Sequence, residues 1–391
     1  MDAVQKGILT LVRSAISGEK LPLPDGFDLE TAYPILQKHS ILALAYDGAV
    51  RCGLDKRHPV MQKLFQNYLQ CLVRSERQMQ AVEDLCEAFE DNGIDYMLLK
   101  GCNLKKLYPK PELRQMGDAD VLIRVEQYET IKPIVRALGY REVVESDHEL
   151  IWNHPSLHLE LHKRLIPSYN KDYYAYFGDG WQLSKKTVGR QHEMTPEDTF
   201  VYLFTHFAKH YRDGGIGLRH VTDLWVYSKA HPDLDQAYMF RELNKLQLQT
   251  FCENVMRLLR VWFEEEEADA KTDFLSSFVF DSGNWGSRES HVASVGAKNA
   301  RAAGSIKKGV VRRWLKVFFP DRKSLQLRYP ILKNVPLLLP LVWLYRFVDV
   351  LITRRKNVRK QMENLNLVSP DQIQTYQQAL NYVGLDFHFK E

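Results

Sequence analysis

The sequence is poor in cysteine and has no long apolar segment. Its five cysteines are scattered over 391 residues and form no CxxC pair. Such a set is typical of reduced thiols in a cytosolic protein and excludes a disulfide framework. The longest uncharged apolar run, VPLLLPLVWLY at 335–345, has two prolines and only 11 residues. A helix that spans a membrane needs roughly 18 apolar residues, so this run is too short to form one.

The sequence also has little net charge, and its first residues do not have the pattern of a signal peptide. Lys and Arg total 53 against 49 Asp and Glu, and a net charge of +4 does not by itself indicate a nucleic-acid-binding protein. The first 18 residues are interrupted by Asp2, Lys6 and Arg13, whereas a signal peptide needs an unbroken apolar stretch. We therefore expect a cytoplasmic protein, with peripheral membrane contact as an alternative.

The hydrophobic pattern divides the chain into four regions. Residues 1–91 show helical spacing, and residues 92–165 alternate short strands with helices. Residues 166–285 are again helical, and residues 286–391 combine a linker with a basic, aromatic helical region. The Ser, Gly and Ala content makes 280–308 the best linker candidate. We predict an α+β fold, in which a small mixed β-sheet is flanked by helical regions on both sides in sequence.

Two aspartates stand at the start of a predicted strand, in the sequence GDADVLI at 117–123. Asp118 and Asp120 are two residues apart, so they lie on one face of the strand. Glu160, on the polar face of a later predicted strand, could bring a third carboxylate to the same edge. Such carboxylates repel one another unless a cation compensates, and Mg²⁺ binds one or two carboxylates together with phosphate oxygens. We predict that the three acids bind Mg²⁺, with Mn²⁺ as an alternative, for phosphoryl or nucleotidyl transfer.

A phosphate-binding junction is predicted just upstream. Lys100 and Gly101 lie between a predicted strand and a helix, where backbone N–H groups, a lysine charge and the absence of a side chain favour phosphate oxygens. Arg114, four residues before Asp118, could neutralise phosphate in the same pocket. The structural alternatives are a solvated lysine at a strand end, and an ion pair of Arg114 with Glu112 or Asp118.

Four segments resemble a known family. They are YMLLKG, LYPKPELRQMGDADVLI, LHLELHKRL and PEDTFVYLFTHFAKHYRDGGIGLRHVTDLWVYS. Over about residues 30–260 the chain resembles the uncharacterised nucleotidyltransferase family of bacteria, within the DNA polymerase β-like superfamily. The resemblance implies a mixed sheet with helices behind it, and Mg²⁺ bound by Asp118 and Asp120. The third carboxylate maps to Glu160, where many relatives have the shorter Asp.

The resemblance also implies a set of nucleotide-binding residues. The wider superfamily has Gly-Ser at the phosphate loop, and this chain has Lys-Gly there. The full set comprises Lys100, Gly101, Arg114, Gly117 and His162. His162 either orients Glu160, contacts substrate or makes a structural hydrogen bond.

Two helical pairs are weaker candidates. His206 and His210 have the i, i+4 spacing of zinc ligands, but neither an HExxH pattern nor a cysteine partner is near them, so we do not predict zinc there. Arg219 and Asp223 have the spacing of a helix ion pair, with a role in lining the pocket as the alternative.

The favoured function is transfer of a nucleotidyl group from an NTP, such as ATP, to an acceptor, with release of pyrophosphate. The acceptor is a protein, an RNA or a small molecule. The first alternative is a nucleotide-binding accessory protein with little or no activity. The second is a membrane-surface scaffold, because residues 301–360 are basic and aromatic and include the apolar run. This region could equally be a solvated helical face or contact nucleic acid.

Overall fold

The structure is a computed structural model that describes residues 1–284, 286, 288–302, 315, 319–326, 329, 331–353 and 367–385. Within those residues, no helix combines the length and the apolar character that crossing a bilayer requires.

The N-terminal region is helical, as the periodicity predicts. Its helices are α1 Ala3–Ser17, α2 Leu29–Lys38, α3 Leu42–Cys52 and α4 Pro59–Asp91. A capping box starts α1, since Asp2 Oδ1 accepts the N–H of Gln5 at 2.7 Å and the Gln5 side chain accepts the N–H of Asp2. Helices α1 and α3 approach closely at Gly48, where a β-carbon would collide with the carbonyl oxygen of Leu11. The 33-residue helix α4 ends at Asn92–Gly93, with Gly93 at φ +68°.

A five-stranded mixed sheet follows. Its strands are β1 Tyr96–Leu98, β2 Ala119–Ile123, β3 Arg141–Glu145, β4 Glu149–Asn153 and β5 His158–His162. Their spatial order is β1-β2-β5-β4-β3, and only β2 and β5 are parallel neighbours. Helices α5 Gly101–Leu104 and α6 Tyr128–Ala137 lie between the strands in sequence. The sheet confirms the predicted α+β fold class.

The register of the sheet decides which side chains share a face. In the β2–β5 pair Asp120 lies opposite Glu160. In the β4–β5 hairpin Glu149 lies opposite His162, and a two-residue turn closes the hairpin. There the backbone of His154 and Leu157 exchanges hydrogen bonds of 3.0 and 3.1 Å.

The opposite face of the sheet packs on helices α4 and α6. In β4 and β5 the fully buried apolar side chains alternate with less buried ones, whereas all five residues of β2 are buried, Asp120 among them. The core between the sheet and the helices contains Val121, Trp152, Leu159 and Leu161 from the strands, Leu85 and Phe89 from α4, and Ile131 and Val135 from α6. Burial of this apolar face therefore fixes the acidic residues on the other one.

A second helical region follows the sheet. Its helices are α7 Lys171–Phe177, α8 Pro196–Asp213, α9 Leu218–Ala230, α10 Gln236–Lys245, α11 Gln249–Phe263 and α12 Ala270–Ser282. Strands β6 Ser184–Lys186 and β7 His192–Met194 form a separate hairpin. Thr195 caps the start of α8, because the Asp198 N–H donates to Thr195 Oγ1 at 3.1 Å and that hydroxyl donates to Asp198 Oδ2. Trp262 Nε1 donates to Ser276 Oγ at 2.9 Å and joins α11 to α12.

The chain divides into two compact units. The first contains residues 1–209 and 216–285, and the second contains residues 210–215 and the described residues from 286 onward. The second unit includes α13 Arg288–Ala302, α14 Arg322–Gln326, α15 Ile331–Asn334, α16 Leu339–Thr353 and α17 Pro370–Tyr382. The described part of the predicted linker 280–308 is mostly helical, in α12 and α13.

The apolar run 335–345 belongs to the second unit. It forms a short 3-10 helix, Pro336–Leu338, and the first half of α16. Leu337 is 89% exposed, and Leu341 and Leu344 are also exposed, while Val342 packs on Leu325. Much of 301–360 lies outside the described residues, so membrane contact through this region stays a prediction.

Candidate functional site

The acidic residues meet on the polar face of the sheet. Asp120 is buried in β2, and the half-buried Glu160 lies directly beside it in β5. Asp118, also half-buried, precedes Asp120 by two residues, the spacing that puts two side chains on the same face of a strand. The ligand-type atoms of Asp120, Glu160 and His162 all lie within 4.8 Å of one another. The structure therefore places Asp120, Glu160 and His162 side by side.

Asp120 has two cationic or hydrogen-bonding partners. Lys100 Nζ and His162 Nε2 each lie 2.8 Å from Asp120 Oδ1. Burial would raise the pKa of Asp120, but the Lys100 ammonium and the His162 hydrogen bond outweigh it and hold that pKa below its usual range. Asp120 is therefore a carboxylate at any physiological pH, and both of these partners contact its Oδ1 atom.

Lys100 sits at the strand-to-helix junction between β1 and α5. Its backbone has φ +42°, in the left-handed region that non-glycine residues rarely adopt. Burial lowers the pKa of Lys100, but the charge of Asp120 and its hydrogen bond to the ammonium raise that pKa more, so the ammonium stays charged. The local conformation thus aims a permanent positive charge at the acidic residues.

Glu160 has the opposite electrostatic situation. Burial and the neighbouring charges of Asp120 and Asp118 together raise its pKa to about 8, and Lys100 offsets only part of this rise. His158 Nε2 lies 3.6 Å from Glu160 Oε1, and His162 Nε2 lies 3.6 Å from Glu160 Oε2. The acids of the site, when ionised, would therefore carry more negative charge than its own cations compensate, and the raised pKa keeps a proton on Glu160 until a further cation enters.

This surplus of negative charge fits a hard divalent cation. Three carboxylates face one ammonium, and carboxylate oxygens are the ligands that Mg²⁺ and Mn²⁺ prefer. Among the described residues, Asp118 is not in the tight cluster of ligand atoms formed by the other two acids and His162. Its charge nevertheless raises the pKa of Glu160, so it lies within electrostatic reach of the same space.

Arg114 faces away from open solvent and pairs with a carboxylate. Its Nε and Nη2 contact Asp223 Oδ1 and Oδ2 at 2.7 and 2.9 Å, a bidentate pair in which both residues are buried. Tyr108 donates to Asp223 Oδ1 at 2.8 Å. The partner of Arg114 is thus Asp223 of α9 and neither Glu112 nor Asp118, and its predicted phosphate contact stays a prediction.

The same arrangement changes the interpretation of Arg219. Its Nη1 donates to the carbonyl oxygen of Gln115 at 3.1 Å, and its Nε donates to Asn284 Oδ1 at 3.2 Å. Asp223, the expected i, i+4 partner, is engaged by Arg114.

The two predicted glycines differ in their surroundings. A β-carbon on Gly101 would lie 3.1 Å from Arg114 Nη1 and 3.2 Å from Met116 Cγ, so this glycine lets the arginine pass close to the junction. Gly117 is exposed, and a β-carbon there would meet nothing within 4 Å. Close packing against Arg114 and Met116 is thus enough to explain why residue 101 is glycine. Gly117, in contrast, lies at an open edge of the site.

Three residues near the acids escaped the sequence analysis. Tyr202 of α8 lies beside Lys100, and burial raises the pKa of this phenol to about 12. His148 stacks edge-on against His162 with ring centroids 4.9 Å apart, and burial lowers the pKa of His148 to about 3. Glu149 of β4 lies opposite His162 of β5. In the sequence, β4 could have been found from the alternation of buried residues with Glu149, Ile151 and Asn153.

The comparisons with known proteins agree with the geometry. The sequence model of the family described as uncharacterised nucleotidyltransferase matches residues 25–264, well over half of the chain. The chain belongs to this family and is a transferase of the nucleotidyltransferase class. None of the curated proteins compared with it matches. The solution structure of the antibiotic-resistance factor ANT(2'')-Ia aligns with 49% of this chain and 100% of its own, at 12% identity and a TM-score of 0.32, a likeness too distant to support any inference.

Proposed function

We propose that the chain transfers a nucleotidyl group from an NTP to a hydroxyl acceptor in a Mg²⁺-dependent reaction. The observation that supports this most directly is the register of β2 and β5, which sets Asp120 directly beside Glu160. Burial, together with the charges of Asp120 and Asp118, raises the pKa of Glu160 to about 8. When bound by Asp118, Asp120 and Glu160, Mg²⁺ or Mn²⁺ would neutralise charge on the triphosphate oxygens.

The protein's own groups take the remaining roles. The acceptor oxygen attacks the α-phosphorus, the bond from that phosphorus to the oxygen of the β-phosphate breaks, and pyrophosphate leaves. Ionised Glu160 either completes the metal site or accepts the proton of the acceptor hydroxyl. Lys100 and His162 hold Asp120 in place, and the Lys100 ammonium is 2.8 Å from that carboxylate, close enough to attract phosphate as well.

The acceptor site in this proposal is a groove beside the acids. The groove has a volume of about 630 Å³ and runs between α4 and the β4–β5 turn. Arg74 and Arg77 line it together with the exposed apolar residues Leu69 and Val73. Two arginines in an open groove attract an anionic group, so we propose an acceptor that bears phosphate or carboxylate.

The groove also reaches the reacting groups. The acids themselves do not line the groove, but Gly117, next to Asp118 in sequence, and His158 do, and His158 Nε2 is 3.6 Å from Glu160 Oε1. An acceptor lying in the groove would therefore present its hydroxyl next to the proposed base.

The test uses purified full-length protein with each of the four α-labelled NTPs, Mg²⁺ and cell extract. We expect label to enter an acceptor and pyrophosphate to be released, and we expect both to vanish in Asp118→Asn with Asp120→Asn. Glu145→Gln, which removes an exposed carboxylate from the outer strand β3, is the matched control and should keep activity. Transfer that persists in the double variant would remove the aspartates from the mechanism.

A second set of variants tests the groove. Arg74→Ala with Arg77→Ala should reduce labelling of the acceptor while NTP binding stays unchanged. Lys185→Ala with Lys186→Ala removes the same charge from exposed positions on β6 and should change neither. Equal loss in both pairs would show that net charge, and not the groove, governs labelling.

The alternative function is nucleotide binding without turnover. Lys100 favours it, because its ammonium already compensates Asp120 without a metal. NTP binding that is insensitive to Mg²⁺, with no pyrophosphate released in any extract, would support the accessory protein over the enzyme.

A further inference from the structure

A second group of metal-binding side chains adjoins the acidic site. His148 Nε2 lies 3.3 Å from His162 Nδ1 and 3.7 Å from Glu149 Oε2. His162 Nδ1 lies 3.8 Å from the same Glu149 oxygen. A tetrahedral zinc ion with bonds of about 2.0–2.2 Å holds its ligand atoms about 3.3–3.6 Å apart. The three atoms are therefore spaced nearly as they would be around a single ion.

The backbone holds these side chains in place. Strand pairing sets Glu149 opposite His162 in the β4–β5 hairpin. The loop before β4 fixes His148, whose N–H donates to Ser146 Oγ at 3.2 Å and whose carbonyl accepts the N–H of Lys163 at 2.8 Å. The site thus rests on a hairpin and a bonded turn, and it does not depend on a free loop.

The far side of His162 also has the environment of a metal-bound imidazole. Its Nε2 is 2.8 Å from Asp120 Oδ1. A carboxylate on one ring nitrogen fixes the tautomer with the proton on Nε2 and leaves the Nδ1 lone pair facing His148 and Glu149. His162 is almost fully buried, whereas the side chains of His148 and Glu149 are 16% and 26% exposed and leave a path for an ion.

The geometry points to a zinc site formed by His148, Glu149 and His162, with the fourth position open to water or a ligand. Two imidazole nitrogens favour Zn²⁺ over Mg²⁺, which prefers oxygen ligands alone. This site is distinct from the acids Asp118, Asp120 and Glu160, and its existence does not depend on nucleotidyl transfer. Because His162 contacts Asp120, an ion bound here also fixes the position of that carboxylate.

Metal binding by the full chain tests the site without any activity assay. The protein is stripped with a chelator and titrated with Zn²⁺ against a chromophoric competitor, and Co²⁺ is added in parallel to record its visible absorption. We expect one equivalent of tight binding and the intense absorption of a four-coordinate Co²⁺ site. His148→Ala and Glu149→Gln should each weaken Zn²⁺ binding by about 100-fold or more.

Two control variants separate this site from others. His154→Ala removes a histidine from the neighbouring turn, and Asp118→Asn removes a carboxylate from the acidic site. Both should bind Zn²⁺ as the wild type does. Circular dichroism confirms that each variant is folded, and Glu149→Gln preserves the side-chain size.

Two results would overturn the proposal. The first is Zn²⁺ affinity unchanged in folded Glu149→Gln and His148→Ala, which would place the ion elsewhere. The second is wild-type protein that retains no zinc beyond that of the two variants, which would leave the 3.3 Å contact as an ordinary hydrogen bond between two histidines.

Discussion

Replacing Glu160 by Gln should stabilise the metal-free protein even though it disables the proposed chemistry. The pKa of Glu160 is raised from 4.5 to about 8, first by burial and then by Asp120 and Asp118. The folded state therefore holds the proton more tightly than the unfolded state does. The stability that this proton contributes is complete below pH 4.5 and is lost as the pH rises through about 8. Glutamine resembles the protonated acid at every pH, so Glu160→Gln should not suffer this loss.

The size of the effect follows from the pKa shift. At 1.36 kcal/mol per pH unit, the full shift corresponds to a ceiling of roughly 5 kcal/mol. Glu160 keeps some contact with solvent, so screening reduces the expected gain to about 2 kcal/mol above pH 8. Below pH 4.5 the wild type and the variant should have equal free energies of unfolding.

The assay is urea unfolding of both proteins from pH 4 to pH 9 in the presence of a chelator. Repeating it with Mg²⁺ should stabilise the wild type more than the variant, since the ion binds the folded acids. Glu145→Gln is the control of opposite sign. The neighbouring Tyr128 hydroxyl, together with Lys163, whose ammonium donates to Glu145 Oε1 at 3.0 Å, lowers the pKa of Glu145. The contribution of Glu145 to stability is therefore present at neutral pH and is lost on acidification. Parallel pH profiles for wild type and Glu160→Gln would refute the account of the acidic site.

Three further predictions concern other parts of the chain. Asp223→Asn should lower the free energy of unfolding by about 3–5 kcal/mol, because it leaves the buried Arg114 without its carboxylate, and an unchanged urea midpoint would contradict this. Glu160→Asp should retain labelling of the acceptor and Glu160→Ala should lose it, so equal activity of the alanine variant and the wild type would exclude Glu160 from the site. Deleting residues from about 300 onward should leave NTP binding unchanged, since every candidate ligand precedes residue 225, and should reduce binding to anionic vesicles. Loss of NTP affinity on truncation would show that the deleted region supports the nucleotide site.

Local patterns predicted the strands that bear the acids. Asp118 and Asp120 precede a short apolar run, and Glu160 alternates with buried leucines, so period-two spacing placed all three on polar faces. Period-two spacing could not predict the register between β2 and β5. It depends on which strands become neighbours, and the sequence alone does not specify that β5 inserts between β2 and β4.

Long-range pairs account for most of what the sequence analysis missed. Arg114 and Asp223 are 109 positions apart, and no local spacing relates them. The same holds for Lys100, whose charge suggested a phosphate contact but whose nearest partner is the carboxylate of Asp120. Local propensity can place a charged residue at a strand end, but the partner of that residue is decided by the packing of distant elements.

The two-residue turn of the β4–β5 hairpin has a consequence for how this enzyme can diversify. Pro155 and Ser156 form both the tip of the hairpin and part of the groove wall. An inserted residue would enlarge the turn and move the groove wall, and if it were taken up as a slip of β5 by one position it would turn Glu160 towards the core. Length variation here therefore endangers the chemistry along with the old specificity. Substitutions that keep the length avoid this penalty. We expect descendants with new acceptors to differ in side chains at these two positions while the number of residues in the turn stays fixed.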